Sequence, residues 1–149
     1  MDYCRVCGHP VEPFMTFGRM PIANAFLHKD QFDDEYFLEL KPASCHNCTT
    51  FQIVDVPNPN RMFHDHYAYF ASTSIFMTNH FKKLAEDVME KYFHSNDPFV
   101  VEIGSNDGIS LQNYSKAGVR HLGVDPSKNV VDASIKKGIS AMCAFFNED

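Results

Sequence analysis

The spacing of apolar residues changes several times along this chain, and each change marks an element. From Met77 onward, Phe81, Leu84, Ala85, Val88 and Tyr92 recur at intervals of three and four, with Lys82, Lys83, Glu86, Asp87 and Glu90 on the other faces. That pattern predicts an amphipathic helix, ended by Ser95-Asn96-Asp97-Pro98. Phe99-Val100-Val101 with Ile103 then forms an apolar run, as expected of a parallel strand buried on both faces. The run breaks into Gly104-Ser105-Asn106-Asp107-Gly108, a tight turn rich in small residues. A helix carrying Ile109, Leu111 and Tyr114 should follow, stopped by Gly118, and then a second strand, Leu122-Gly123-Val124, ending in Asp125. Ser127 is placed to cap a helix with Val130, Val131 and Ile135 that stops at Gly138, with Lys136 and Lys137 favourably near its carboxyl end. Ile139 to Phe146 supplies a third strand and its exit.

The first part of the chain reads differently. Tyr36 to Lys41 and Phe51 to Val56 alternate as strands do. Met15 to Leu27 has no clean period and is read as an apolar loop packed on its surroundings. Pro57-Asn58-Pro59-Asn60 breaks the chain, since neither proline can donate to a ladder. These elements predict an α/β protein: a small β-rich module over 1–57, a connecting segment with the amphipathic helix over 58–98, and a βαβαβ unit over 99–149. A sheet of about three parallel strands is smaller than usual, so the sequence reads as a truncated piece of a larger domain.

Composition narrows the classes. With 149 residues, 44% of them hydrophobic, the chain can bury a core as one domain or two small ones. A net charge of −6 and the lack of any Lys/Arg cluster argue against a nucleic-acid partner, whose phosphates would need neutralising. No apolar run approaches the ~18 residues of a membrane span, and no signal-peptide pattern opens the chain. The expectation is a cytoplasmic protein with no membrane partner.

The cysteines carry the sharpest chemistry. Cys4-Arg5-Val6-Cys7-Gly8 and Cys45-His46-Asn47-Cys48 are two CxxC knuckles, each presenting two sulfurs to one point, and together they can complete the tetrahedral S4 shell of a zinc ion. With all four positions taken by sulfur, no place remains for an activated water, and the metal is expected to be structural. A redox CxxC, a rubredoxin-type iron, or His9 or His46 in place of one cysteine are the alternatives. His64 and His66 are weaker metal candidates. Cys143, the fifth cysteine, is read as a core thiol.

The Gly104 to Gly108 turn brings bare backbone near a ligand, and Asp125 follows Gly104 by roughly twenty residues, where an acid can accept both hydroxyls of a ribose. NAD is disfavoured, because a dinucleotide fingerprint needs a third glycine and open backbone, and Asp107 would repel a pyrophosphate. S-adenosylmethionine, a cation without phosphate, is compatible with Glu102 and Asp107. A tight βα turn that holds no ligand is the alternative. The stretch from Met62 to Ser74, crowded with hydroxyls, imidazoles and aromatic rings, suits a ligand wall. It equally suits a connecting segment whose Ser72 or Ser74 caps the next helix.

Several motifs in one order resemble the S-adenosylmethionine-dependent sugar C-methyltransferases of deoxysugar biosynthesis. They are Cys4-Arg5-Val6-Cys7-Gly8, Phe17-Gly18 with Pro21-Ile22-Ala23-Asn24, Cys45 and Cys48, Tyr67-Ala68-Tyr69 with Ser72 and Ser74, His80-Phe81, Val101 to Gly108, and Gly123-Val124-Asp125-Pro126-Ser127. The resemblance implies a zinc-binding domain ahead of a Rossmann-like methyltransferase fold. By it, Cys4, Cys7, Cys45 and Cys48 are zinc ligands, and Glu102, Gly104, Ser105, Asn106, Asp107 and Gly108 form the methionine end of the cofactor site. Asp125 becomes the ribose acid. The substrate would be a nucleotide-linked keto sugar, deprotonated beside its ketone and methylated at that carbon, with the catalytic His, Tyr and Glu largely beyond Asp149. Of the residues present, Tyr67 or Tyr69 is the candidate catalytic or substrate hydroxyl, with His80 behind them, and a core-aromatic role is the alternative. The competing function is a zinc-stabilised, non-catalytic binding module that acts through a partner.

Overall fold

The computed structural model describes residues 2–23 and 25–147, and the chain falls into two compact units, one running to Met62 and one from Phe63.

The first unit is built from three two-stranded antiparallel sheets. β1 (Asp2–Tyr3) pairs with β2 (Pro10–Val11), β3 (Arg19–Pro21) with β4 (Phe37–Glu39), and β5 (Pro42–Ser44) with β6 (Phe51–Ile53), before a short helix α1 (Pro59–Met62). Strands this short bury little. The buried cluster is Cys4, Val11, Ala43 and Cys45, with Cys7, Cys48 and Val54 packed against it, so the metal-ligating type of residue makes up most of the core. β4 and β6 lie inside the two stretches whose alternation predicts strands. β3 falls where a loop was expected. Its three side chains are all exposed, so no alternation reveals it, and its pairing rests on the backbone: register Met20 to Leu38, continued by Phe17 N–H donating to the Leu40 carbonyl at 2.9 Å. Asn24 of the Pro21-Ile22-Ala23-Asn24 motif lies outside the described residues.

In the second unit, α2 (Ile75–Tyr92) starts at Ser74, whose Oγ accepts the Met77 N–H at 3.3 Å. Then come β7 (Phe99–Ile103), α3 (Leu111–Lys116), β8 (Arg120–Asp125), α4 (Lys128–Lys136) and β9 (Ala141–Cys143). The three strands are parallel in the order β7-β8-β9. Gly118 and Gly138 follow α3 and α4 with positive φ, as helix stops do. Ala85, Leu111, Tyr114 and Ile139 form the core, with Val88, Met89, Phe93, Val100 and Val119 against it.

Several burial expectations need correction. β7 is not buried on both faces: Val100 joins the core, whereas Phe99, Val101 and Ile103 point the other way, and Ile103 is 62% exposed. Successive strand residues face opposite sides, and the core cluster lies on one side only. On α2 the packed stripe is Ala85, Val88 and Met89, leaving Leu84 and Tyr92 exposed. Cys143 is an exposed thiol, because it ends the last strand rather than facing the core. Ser127 stands at the start of α4, but its hydroxyl caps nothing. The Asp125 carboxylate instead accepts the N–H of Ser127 itself, just ahead of the helix, at 2.9 Å. Among the described residues no helix is long and apolar enough to cross a membrane.

Candidate functional site

The two CxxC knuckles sit in the turns of matching hairpins, β1-β2 and β5-β6. In each, the N–H four residues after the first cysteine returns to that cysteine's carbonyl: Gly8 to Cys4 and Thr49 to Cys45, both at 2.8 Å. These turns bring the sulfurs of Cys4, Cys7, Cys45 and Cys48 within 4.8 Å of one another. Cys4 and Cys48 are 3.5 Å apart, as are Cys7 and Cys45, too far for disulfides and close to the edge of about 3.8 Å that Zn–S bonds of about 2.3 Å give a tetrahedron. The surroundings favour charge on some sulfurs. The backbone N–H of Cys7 leads the groups that pull the Cys4 thiol down to about 6. At Cys45 the Cys48 N–H also pulls down, but burial and the sulfurs of Cys7 and Cys48 outweigh it and push the thiol up to about 11. Four thiolates so close together require a cation, and the donor set fits Zn²⁺. Gln52 was not foreseen. Its Oε1 accepts the Arg5 N–H at 3.2 Å, and its buried side chain also lies against Cys4 and favours the thiolate.

The position after each knuckle must adopt the left-handed conformation. Gly8 does so at φ 72° without cost, whereas Thr49 does so at φ 63° against its branched Cβ. Thr49→Gly is therefore expected to raise stability by about 1 kcal/mol, despite the added freedom of the unfolded chain. Thermal melts of the zinc-loaded protein would show it, and a lowered melting temperature would refute the strain argument.

The second site is a cavity of about 310 Å³ at the carboxyl ends of β7 and β8. Glu102, Gly104, Ser105, Asn106 and Asp125 line one side, and Phe63, Tyr67, Tyr69, Ala71, Met77, Phe81 and Ile109 the remainder. Gly104, at φ 70°, faces open space where any side chain would stand, which leaves the backbone bare. Asp125 is 7% exposed. Its Oδ2 accepts the Asn106 N–H and its Oδ1 the Ser127 N–H, both at 2.9 Å, so the carboxylate fixes the turn and keeps further lone pairs. Asn106 itself adopts φ 49°. Burial pushes the Glu102 carboxyl up to about 7, although the backbone at Leu111 pulls it down, and its Oε2 is buried with no partner.

Not every expected residue reaches this cavity. Asp107, 1% exposed, turns inward to Ser72 and Lys137. Gly108 packs the other way: a side chain there would collide with Ile139 and, at 2.7 Å, with the Ser134 hydroxyl. Neither lines the cavity. His80 is exposed on α2 with its ring 5.4 Å from that of Phe81. Asn129 and Lys137 were missed. Asn129 Nδ2 donates to the Tyr67 carbonyl at 2.8 Å and its Oδ1 accepts the Tyr67 N–H at 3.2 Å, contacts between residues too far apart in sequence for any local pattern to reveal.

Four convergent sulfurs in one unit and an acid-lined cavity at the carboxyl ends of parallel strands in the other define a zinc-binding α/β protein. Residues 4–63 match a family described as "Putative zinc binding domain". The whole chain is 32% identical over 151 residues to C-methyltransferase NovU of Streptomyces niveus, and it spans 36% of that protein's length. Over its whole length the chain is thus similar to part of a C-methyltransferase, and its first unit matches this zinc-binding domain.

Proposed function

We propose that the cavity is the S-adenosylmethionine site of a Rossmann-like methyltransferase domain, and that the protein methylates the carbon beside the ketone of a nucleotide-linked deoxy keto sugar. The observation that carries this reading is the pairing, across one cavity, of the anchored Asp125 carboxylate with Glu102, whose Oε2 is buried without a partner. A ribose can use the free lone pairs of Asp125, and the bare backbone at Gly104 leaves room for the methionine end. The cofactor would supply an electrophilic methyl group. Tyr67 and Tyr69 line the wall and are the hydroxyls available to a substrate. The zinc is a structural element of the first unit. Cytoplasmic location and freedom from nucleic-acid partners belong to the same reading.

Glu102 makes the proposal testable. In the free protein its carboxyl stays largely protonated up to about pH 7. A cationic ligand favours the ionised form, so binding should expel a proton below that pH, and affinity should rise from pH 6 to pH 8 and then level off. Without ligand the sign for folding is opposite. The neutral group's contribution to stability is full below its ordinary value of 4.5 and is lost as pH rises through about 7. Calorimetric titration with S-adenosylmethionine at pH 6 and pH 8 should show tighter binding at pH 8, and Glu102→Gln should remove the difference. A folded protein that binds no S-adenosylmethionine at either pH would overturn the reading.

A further inference from the structure

The segment from Tyr67 to Thr73 crosses the cavity as a strap, and polar side chains from two later elements hold its backbone. Asn129, at the start of α4, holds both the N–H and the carbonyl of Tyr67. Asn106 donates through Nδ2 to the Tyr69 carbonyl at 3.0 Å and accepts the Ala71 N–H on Oδ1 at 2.9 Å. Asp107 accepts the Ser72 N–H at 3.2 Å and the Ser72 hydroxyl. Lys137, just past α4, completes the set. Its ammonium donates to Asp107 O at 2.9 Å, Asp107 Oδ2 at 3.0 Å and Ser72 Oγ at 3.1 Å, which uses all three of its protons.

We infer that Lys137 and Asn129 are positioning residues, which set Tyr67 and Tyr69 over the Gly104 to Asn106 turn by pinning the two ends of this strap. Two features separate this from ordinary packing. Ala71 is the only residue of the strap counted among the buried ones, so hydrogen bonds rather than apolar burial set its place. Among the described residues Lys137 is also the only cation paired with the Asp107 carboxylate, which is 2% exposed as a side chain. Without that ammonium the carboxylate would be left buried and uncompensated, and the route open to it is to turn toward water, releasing Ser72. The strap would then lift at its Ser72 end while the sheet stays folded. The claim that this disturbs cofactor binding rests on the proposed reading of the cavity, whereas the claim about the strap does not.

The test has an arm for each. Amide hydrogen exchange in the full zinc-loaded chain should show the Ala71 and Ser72 amides exchanging at least about tenfold faster in Lys137→Met, with Val101 and Val124 unchanged. Lys137→Arg should restore protection, and Asn129→Ala should free the Tyr67 amide instead. Ser72→Ala, a smaller change that leaves the ion pair in place, should loosen the same end if Lys137→Met fails to fold. In the binding arm, affinity for S-adenosylmethionine should fall by about tenfold in Lys137→Met and recover in Lys137→Arg, a rescue that general destabilisation would not produce. Wild-type protection of Ala71 and Ser72 in both Lys137→Met and Ser72→Ala would overturn the inference. Faster strap exchange in a protein that binds no S-adenosylmethionine would uphold the strap and defeat the cofactor reading alone.

Discussion

Replacing Cys45 with serine, or stripping the metal with a strong chelator, is expected to unfold the unit that runs to Met62. Among its described residues that unit shows no other source of sufficient stability. Its strands are two or three residues long, and its buried cluster is Cys4, Val11, Ala43 and Cys45. Phe14, Phe17, Phe26, Phe32 and Phe51 are exposed and contribute little burial. Units of about 60 residues are marginal even with an apolar core, whereas a structural zinc contributes about 10 to 16 kcal/mol in small modules. Hydrogen exchange should show protection lost in Pro42–Ser44 and Phe51–Ile53 and kept in Phe99–Ile103, whose own core contains no cysteine. A metal-free chain that keeps its Phe51–Ile53 protection would show that the cysteines are not what holds this unit together.

Asp125→Ala should have the second largest effect, and it should act on both stability and binding. The carboxylate accepts the Asn106 and Ser127 N–H groups, so its removal leaves two donors without their partner in a mostly buried place, at a cost of about 1 to 3 kcal/mol for each one left unpaired. It also releases Asn106 from its left-handed conformation and so loosens the turn that lines the cavity. Affinity for S-adenosylmethionine should drop by at least about tenfold, the factor that 1.4 kcal/mol represents. Calorimetry and thermal melts on one preparation would separate the two losses. A protein with a lowered melting temperature and undiminished affinity would remove Asp125 from the proposed ribose contact.

The difference between what the sequence revealed and what it concealed has a physical origin. The paired CxxC spacing and the strand-turn-helix order around Gly104 and Asp125 are local patterns, and each appears in the structure where the pattern places it. β3 was hidden because its side chains all face solvent and only its backbone is engaged. The apolar residues of β7 suggested two buried faces, since composition alone cannot say on which side the helices pack. Asp107 is expected at the cofactor by the resemblance and because its charge suits a cationic ligand. In the structure it pairs with Ser72 and Lys137, which lie far from it along the chain, and nothing in their own neighbourhoods points to it. Lys137 was legible only as a helix-terminal charge. Its ammonium in fact reaches across to the turn after β7.

The unequal residues that follow the two knuckles bear on the order in which the metal site assembles. In the metal-free chain the turn closed by Gly8 forms without a conformational penalty, while the turn closed by Thr49 is disfavoured by about 1 to 2 kcal/mol, roughly a tenfold smaller population. An arriving ion therefore meets Cys4 and Cys7 already side by side more often than Cys45 and Cys48. The first hairpin is thus the better prepared landing point, and the second is expected to close around an ion already held.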